Sequence, residues 1–392
     1  MADEDRNLPP EQPGKLSRLS IMMLGLRGFP NVQGGVETHA QHLSSHLNDL
    51  GCDVNIIVRS PYHPEEKGKE WQGIRFHRVW SPVSKKLEAI VHTFFGVCYA
   101  AFKRPDVLHI HAIGPSLMAP LARLFGLKVV VTHHGPDYDR QKWKGFSKWI
   151  LKLGECLGMF FANERIVISQ VIRNLVEDKY GKQSVLIPNG VVLPQLPDTI
   201  DTLDDFGLEV GKYVLIVSRL VPEKRHLDLI DAFVKAELPG WKLVMVGDSD
   251  HPDEYTRNVL KAARENPNIV ATGLQSGQPL RELYAHAGVF VLPSSHEGLP
   301  IALLEALSYG LPVIASDIPA NLEIRLPDHH YFKLGDIGML SQKLREFSGF
   351  TQSDDYRKGL RDWVSQRYNW EDIARSTFQV YLNTHNNQKN VG

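Results

Sequence analysis

The segment VFVLPSSHEGLPIALLEALSYGLPVIASDI, residues 289–318, contains two short apolar runs separated by a polar loop and a helical pattern. Residues 289–292 and 313–316 predict buried strands, and residues 301–309 predict a helix that stops before Gly310 and Pro312. Such a βαβ unit presents its helix N-terminus at the carboxyl edge of a parallel sheet, where phosphate-bearing ligands bind. The segment therefore predicts an α/β fold and indicates a nucleotide-dependent enzyme.

The same alternation of apolar runs and helical patterns extends over nearly the whole chain. Further strands are predicted at residues 19–24, 54–59, 107–110, 128–132, 165–169, 184–187, 213–217 and 242–246. The intervening helices of the first half are predicted at residues 37–50, 87–103, 115–125, 146–161 and 169–180. Strands that alternate with helices imply parallel sheets joined by right-handed crossovers. We therefore expect two doubly wound, Rossmann-like domains.

The length of 392 residues exceeds the usual size of one hydrophobic core, which also predicts two domains. Prolines and a glycine in residues 187–199 indicate the boundary between them. We expect a flexible tail at residues 1–18, an N-terminal domain at 19–190, a C-terminal domain at 191–368 and a C-terminal helix within 369–392.

The composition, 43% hydrophobic and 23% charged, is that of a soluble globular protein, and the net charge of −1 gives no reason to expect nucleic acid as a partner. The charge is uneven. Residues 1–190 carry 24 Lys and Arg against 18 Asp and Glu, whereas the remainder carries 20 against 27. A basic first half suits a membrane surface or an anionic substrate, although an imbalance of this size is often incidental. Three scattered cysteines and no apolar run of membrane-spanning length predict a cytoplasmic protein, attached to a membrane at most peripherally.

Two loops that follow predicted strands carry candidate anion-binding residues. Residues 25–35 contain Gly34 and Gly35, which either let backbone N–H groups approach an anion or supply a turn with positive φ. Their spacing matches neither the dinucleotide-binding nor the Walker A pattern. In SRLVPEKRH, residues 218–226, Arg219 and Lys224 are placed to neutralise a diphosphate, whereas Arg225 fits a solvated turn better.

Glu297 and Glu305 resemble an acid/base pair at first sight, but their spacing argues against it. Eight helical residues rise about 12 Å, whereas paired glycosidase carboxylates lie about 5–9.5 Å apart. Since Glu297 falls in the loop and Glu305 in the helix, we expect them to contact different parts of one extended ligand. Because the neighbours of Glu305 in the sequence are apolar, a solvent-exposed position on the helix surface is less consistent with the pattern.

Two further patterns leave alternatives open. Asp248 and Asp250 form Asp-x-Asp, which binds metal–diphosphate in some sugar transferases, but here a polar loop is the better interpretation and no metal is expected. Histidines follow or end two strands, and metal binding would need a convergence that their spacing does not establish. They fit either ligand contacts or hydrogen-bonded core residues; they are His109, His111, His133 and His134.

Residues 135–155 interleave lysines with aromatic residues. This stretch fits contact of residues 142–152 with an anionic bilayer as well as it fits an ordinary helix with its aromatic residues in the core.

Taken together, these residues resemble the GT-B glycosyltransferases of the large retaining family 4. HEGLPIALLEALSYGLPVIAS, residues 296–316, resembles the family's E-x7-E motif, and VSRLVPEKRH, residues 217–226, resembles its diphosphate-binding segment. Residues 25–43 and 131–143 are similar to a subgroup that makes bacterial surface polysaccharides. The resemblance implies a GT-B fold, with a cleft between an acceptor-side N-terminal domain and a nucleotide-sugar-binding C-terminal domain. It also implies that the C-terminal helix crosses back to the first domain.

The resemblance implies roles on the C-terminal side of that cleft. Arg219 and Lys224 would hold the diphosphate of a UDP- or GDP-sugar, Glu297 the hydroxyls of the transferred sugar, and Glu305 the ribose. Backbone N–H groups near the sugar would come from the segment made of Gly298, Leu299, Pro300 and Ile301. The base would contact the loop made of Thr272, Gly273 and Leu274.

On the N-terminal side, His134 matches the histidine that faces the donor sugar, and Gly34 and Gly35 match a mobile loop that covers the phosphates. The implied reaction is metal-independent, needs no cofactor, and transfers the sugar with retention to a glycan or lipid-linked oligosaccharide. The rival interpretations are a sugar-nucleotide epimerase or a phosphorylase of the same fold, and a non-catalytic nucleotide-sugar-binding protein.

Overall fold

The computed structural model describes residues 18–386, apart from 31, 33, 83–87, 140–144, 250–251 and 351. Within these residues the strands form an eight-stranded sheet from the first half of the chain and a six-stranded sheet from the second half. The expected pair of Rossmann-like domains is confirmed.

The first sheet is parallel except at one edge. Its spatial order is β3-β4-β2-β1-β5-β6-β7-β8, in which β3 pairs antiparallel with β4. The central strands are largely buried on both faces and contain runs of apolar residues, as parallel strands covered by helices require. The strands are β1 (Ser20–Leu24), β2 (Asp53–Arg59), β3 (Glu70–Trp71), β4 (Ile74–Val79), β5 (Val107–His111), β6 (Val129–His133), β7 (Glu164–Val167) and β8 (Val185–Leu186).

The helices of the first half cover this sheet. They are α1 (Gly35–Asp49), α2 (Glu88–Lys103), α3 (Ala119–Leu124), α4 (Gly145–Phe161) and α5 (Gln170–Tyr180). Local sequence sets their ends: Ser169 caps α5 by accepting a hydrogen bond from the N–H of Ile172, and Gly181 ends it in the left-handed conformation at φ 60°.

The second sheet is parallel and has the order β11-β10-β9-β12-β13-β14. Its first strand in sequence, β9, lies in the middle, beside β12, so the strand order reverses there. Ligands of open α/β sheets bind at such a switch point. The strands are β9 (Tyr213–Val217), β10 (Lys242–Val246), β11 (Ile269–Gly273), β12 (Val289–Leu292), β13 (Val313–Ser316) and β14 (Tyr331–Phe332).

The remaining helices cover the second sheet, except the last one. They are α6 (Asp201–Asp205), α7 (His226–Ala236), α8 (Glu254–Glu265), α9 (Gly277–Ala285), α10 (Ile301–Ser308), α11 (Pro319–Leu322), α12 (Ile337–Ser348), α13 (Asp354–Arg367) and α14 (Trp370–Asn386). Helix α14 packs on the first domain, where Trp370 and Tyr381 belong to the core around β1 and α1. The hydroxyl of Tyr381 lies 2.7 Å from Nδ1 of His109.

Each of the predicted strands is found, with its ends displaced by at most two residues. The predicted helix at 115–125 is instead a 3₁₀ turn at Pro115–Met118 followed by α3. Four strands are missing from the prediction: β3, β4, β11 and β14. Gly35, predicted to lie in a loop, is the first residue of α1, and Thr272 and Gly273 end β11, so that only Leu274 of that predicted loop lies outside a strand.

Candidate active site

The turn between β9 and α7 is held by a set of hydrogen bonds. Ser218 N–H donates to the carbonyl of Val246 at 2.9 Å, and its hydroxyl lies 2.9 Å from Nε2 of His226. Arg225 adopts a left-handed conformation at φ 51°, which turns the chain into α7. The turn therefore places Arg219, two residues beyond β9, and Lys224 at the carboxyl edge of the sheet.

Lys224 meets the turn that follows β12. Its Nζ donates to Oε1 of Glu297 at 2.5 Å, and the two side chains are 17% and 11% exposed. The N–H of Ser295 donates to the carbonyl of Glu223 at 2.8 Å, which ties the two turns together. Since β9 and β12 are neighbours at the switch point, residues predicted separately as diphosphate and sugar ligands form one ion pair there.

Glu305 is the fifth residue of α10 and lies against buried aromatic rings. The hydroxyl of Tyr284 donates to its Oε2 at 3.0 Å, and the ring of Tyr284 stacks on Tyr309 with centroids 5.1 Å apart. Burial raises the pKa of Glu305 to about 7, against the smaller lowering effect of the Tyr284 hydrogen bond. A carboxyl group with this pKa changes its charge near neutral pH and can accept hydrogen bonds from hydroxyls once it is ionised.

The N-terminal domain approaches this site by close backbone contact. A Cβ added to Gly298 would lie 2.0 Å from the carbonyl oxygen of His134, and one added to Gly135 would lie 3.3 Å from Cα of Gly298. The side-chain amide of Asn189 also donates to the carbonyl of Leu299 at 3.2 Å. The loop that carries His134 and the loop that carries Glu297 therefore form opposite walls of one cleft.

The glycine loop of the first domain lies on the same side. Gly34, with φ 156°, precedes α1, and the side chain of Glu37 occupies the position that a Gly34 Cβ would take. Glu37 accepts from Nε of Arg27 at 3.0 Å. A Cβ on Gly35 would lie 3.7 Å from Cδ1 of Ile301, the first residue of α10, so the structure brings this loop next to the E-x7-E segment.

A buried carboxylate supports the loop that carries His134. Glu155 of α4 accepts from Nε2 of His133 at 2.9 Å and from the hydroxyl of Tyr180 at 2.5 Å, and it pairs with Lys179. Burial alone would raise the pKa of Glu155, but the hydrogen bonds from His133, Lys179 and Tyr180 outweigh it and lower the pKa to about 2. The N–H of Gly135 donates to Nδ1 of His133 at 3.0 Å, so both ring nitrogens are engaged and the loop is fixed.

Glu155, Tyr284 and Asn189 are not identified by the motifs in the sequence. A signal for Glu155 exists, since the buried stripe of α4 is formed by Leu151, Gly154, Glu155, Gly158 and Met159. A carboxylate on the apolar face of a helix requires buried partners.

Other predicted residues lie farther from the ion pair or outside the described residues. Thr272 and Gly273 end the edge strand β11, two strands from β9 and therefore about 10 Å away along the same edge. Leu274 is largely exposed beyond them. Asp248 is exposed, and Asp250 lies outside the described residues, so the expected polar loop is not placed in full.

The basic–aromatic stretch at residues 135–155 is only partly described, because residues 140–144 fall outside the described part of the chain. Phe146 and Trp149 at the start of α4 are 73% and 56% exposed, and their rings stack with centroids 5.8 Å apart. The alternative of packing in the core is therefore wrong for Phe146 and Trp149, whereas Trp143 lies outside the described residues. Among the residues that the structure describes, no helix combines the length and the apolarity needed to cross a membrane.

Two Rossmann-like domains with a cleft at the carboxyl edges of their sheets define the GT-B class of fold. Residues 33–194 match the model of Glycosyltransferase Family 4, and residues 205–348 match that of Glycosyl transferases group 1. The two matches together cover most of the chain. With the fold, they identify this protein as a glycosyltransferase of the GT-B class.

Individual relatives agree with this class. The chain is 27% identical to the amylovoran biosynthesis glycosyltransferase AmsD of Erwinia amylovora over 76% of its own length and 80% of the relative's. It is 31% identical to the UDP-Gal:alpha-D-GlcNAc-diphosphoundecaprenol alpha-1,3-galactosyltransferase of Escherichia coli over 55% of its own length and 59% of the relative's. The crystal structure of Anabaena Alr3699/HepE in complex with UDP and glucose has the same fold, with a TM-score of 0.73, 18% identity, and coverage of 93% of this chain and 99% of that one.

Proposed function

We propose that this glycosyltransferase moves a sugar, with retention of its anomeric configuration, from a UDP- or GDP-sugar to a lipid-linked oligosaccharide or other glycan. The observation that carries the proposal is the Lys224–Glu297 ion pair at the switch point between β9 and β12, with Arg219 in the same turn. A diphosphate in this position would meet two cations and the N-terminus of α10, three features that stabilise negative charge.

The arrangement suits a reaction in which a nucleoside diphosphate leaves. As the bond between the anomeric carbon and the phosphate oxygen breaks, negative charge grows on the leaving phosphate, where Arg219 and Lys224 would stabilise it without a metal ion. The acceptor oxygen bonds to the anomeric carbon on the same face, and its proton passes to the departing phosphate oxygen. No protein nucleophile and no cofactor are needed for these steps.

Other residues would orient the donor. When the diphosphate engages Lys224, Glu297 is released to accept hydrogen bonds from the sugar hydroxyls. Glu305 would bind the ribose, and His134 would face the sugar from the other wall. Pro300 has no N–H, so the neighbouring backbone donors are those of Gly298, Leu299 and Ile301. Gly34 and Gly35 would cover the phosphates, and the end of β11 would contact the base.

The acceptor and the donor are proposed from the relatives. The Escherichia coli relative is named for a UDP-sugar donor and a diphosphoundecaprenol-linked acceptor, and the structure from Anabaena contains UDP and glucose. A lipid-linked acceptor would be presented at the cytoplasmic face of a membrane. We therefore place this enzyme in the cytoplasm, in peripheral contact with that membrane through the start of α4.

The membrane contact has its own test. Exposed aromatic residues together with Lys148 and Lys152 suit the interface of an anionic bilayer. The Phe146→Ser/Trp149→Ser double variant should float less with anionic vesicles than the parent. Phe350→Ser, which alters an exposed aromatic residue of the second domain, is the control. Equal flotation of the double variant and the parent would contradict the contact.

The transfer itself is tested by incubating the protein with UDP- and GDP-sugars, with and without a lipid-linked acceptor, in the presence of EDTA. We expect donor consumption that depends on the acceptor and survives EDTA, and a product whose anomeric configuration, read by NMR, equals that of the donor. Consumption without any acceptor would indicate an epimerase or hydrolase instead, and binding without consumption would indicate a non-catalytic protein.

A further inference from the structure

Three histidines from different elements converge in the wall of the cleft. His39 lies in α1, His111 is the last residue of β5, and His134 follows β6. Each offers one ring nitrogen, and these nitrogens all lie within 4.8 Å of one another. The ring centroids form a nearly equilateral triangle, with sides of 5.0, 5.4 and 5.8 Å. The three histidines therefore meet in the fold, although the spacing of histidines in the sequence does not establish a metal site.

Two of these rings contain nitrogens whose hydrogen-bonding capacity is unused. Within the described part of the chain, Nδ1 of His39 and Nε2 of His111 are buried and have no hydrogen-bond partner. The neighbouring His109 and His133 differ, because both nitrogens of each are engaged. Buried polar groups without partners are uncommon, and such groups in a native structure indicate a missing water, ion or ligand.

Two of the three rings are enclosed by the protein, since His39 is 3% exposed and His111 is fully buried. A neutral imidazole offers one ring nitrogen with a lone pair to a metal ion. The rings of His111 and His134 are already in contact, with Nδ1 of His111 lying 3.1 Å from Nε2 of His134.

We propose that His39, His111 and His134 form a binding site for a transition-metal ion, with Zn²⁺ as the best fit. A tetrahedral ion with bonds of about 2.1 Å to three imidazoles would hold the ring centroids about 5 Å apart, close to the observed triangle. Three nitrogen ligands without a carboxylate select Zn²⁺, Co²⁺, Ni²⁺ or Cu²⁺ over Mg²⁺, Mn²⁺ or Ca²⁺.

The consequence for transfer rests on the proposed function. His134 is the residue that would face the donor sugar, and a bound metal ion would hold its ring against His39 and His111. Metal binding should therefore inhibit transfer, while the diphosphate site around Lys224 stays intact. The enzyme would be independent of metal for catalysis and inhibited by Zn²⁺.

The binding step is tested with Co²⁺ and Zn²⁺ alone, on the full chain freed of metal by a chelator. We expect one Co²⁺ per chain, visible as the absorption of a tetrahedral ion, and displacement by Zn²⁺ in calorimetry. His39→Gln and His111→Gln should each weaken binding by at least about 100-fold, since even second-shell changes cost 10–100-fold. His42→Gln, on the same face of α1 but outside the cluster, should bind as the parent does.

Circular dichroism of each variant separates loss of a ligand from loss of the fold. The site is refuted if the parent shows no saturable 1:1 binding, or if folded His39→Gln and His111→Gln bind Co²⁺ like the parent. The inhibitory role is tested by titrating Zn²⁺ into the transfer assay. Full transfer at saturating Zn²⁺ would overturn that role, whereas absence of any transfer would count against the proposed function and leave the Co²⁺ result standing.

Discussion

Replacement of Gly298 by alanine tests whether the contact across the cleft belongs to the catalytic arrangement. The new Cβ would lie 2.0 Å from the carbonyl oxygen of His134. A carbon and a carbonyl oxygen approach to about 3.3 Å at closest. The two walls would therefore have to separate by about 1.3 Å at this point. Since the obstructing atom belongs to the backbone, no side-chain rotation can relieve the clash.

We expect this separation to reduce transfer far more than nucleotide binding. A misplacement of 1 Å between reacting groups costs on the order of 100-fold in rate, so kcat for transfer should fall by about 100-fold. The affinity for UDP should change little, because Arg219 and Lys224 lie in the second domain and do not depend on the contact with His134. The protein should remain folded, because the cleft can open without disturbing either sheet.

The measurement combines steady-state kinetics of transfer with calorimetric titration of UDP. Gly359→Ala is the matched control. It makes the same substitution in the interior of α13, where an added Cβ would meet nothing within 4 Å, and it should stabilise the helix by about 1 kcal/mol without affecting transfer. If folded Gly298→Ala transferred sugar at the parental rate, the close approach of these loops would have no part in catalysis.

Three further predictions concern charged groups. Lys224→Ala should weaken UDP binding in calorimetry by about 2 kcal/mol, whereas Arg225→Ala, whose side chain pairs with Asp228, should not; equal losses would contradict the assignment. Because ionised Glu305 is the form that accepts hydrogen bonds from the ribose hydroxyls, UDP affinity should rise as the pH increases through about 7. In the Glu305→Gln variant, the remaining pH dependence of UDP affinity should come only from the titration of UDP itself. Glu155→Gln should cost about 3 kcal/mol at pH 7 by denaturant unfolding. Since folding lowers the pKa of Glu155 from 4.5 to about 2, this contribution is present above pH 4.5 and should vanish as the pH falls towards 2.

The sequence predicts the central strands well and the edges poorly, for a physical reason. Strands such as β1 and β12 are buried on both faces, so their apolar runs are continuous and unmistakable. Strand β4 alternates buried and exposed residues, and β11 has a single buried residue, because each lies at or near an edge of its sheet. Without two-sided burial, a short strand has no continuous apolar pattern.

The same distinction applies to the site. Lys224 and Glu297 could be predicted to lie near each other, because each follows a strand and parallel strands end at one edge. Tyr284, by contrast, reaches Glu305 from a different helix. The meeting of His39 with His134 depends on how α1 is rotated over the sheet. Helix rotation is set by the packing of the whole core, and no local pattern of residues encodes it.

One wall of the cleft supplies cations and the other supplies neutral histidines. The net charges of the two halves of the chain do not predict this difference. The second half of the chain carries the net negative charge, yet it supplies the cations Arg219 and Lys224 that would meet the diphosphate. The basic first half supplies neutral, buried histidines to its wall. Part of its Lys and Arg content, Lys148 and Lys152, lies beside the exposed aromatic residues of α4. Under the proposed function, the cations of the second domain would hold the donor, while the start of α4 would face an anionic membrane that presents the acceptor.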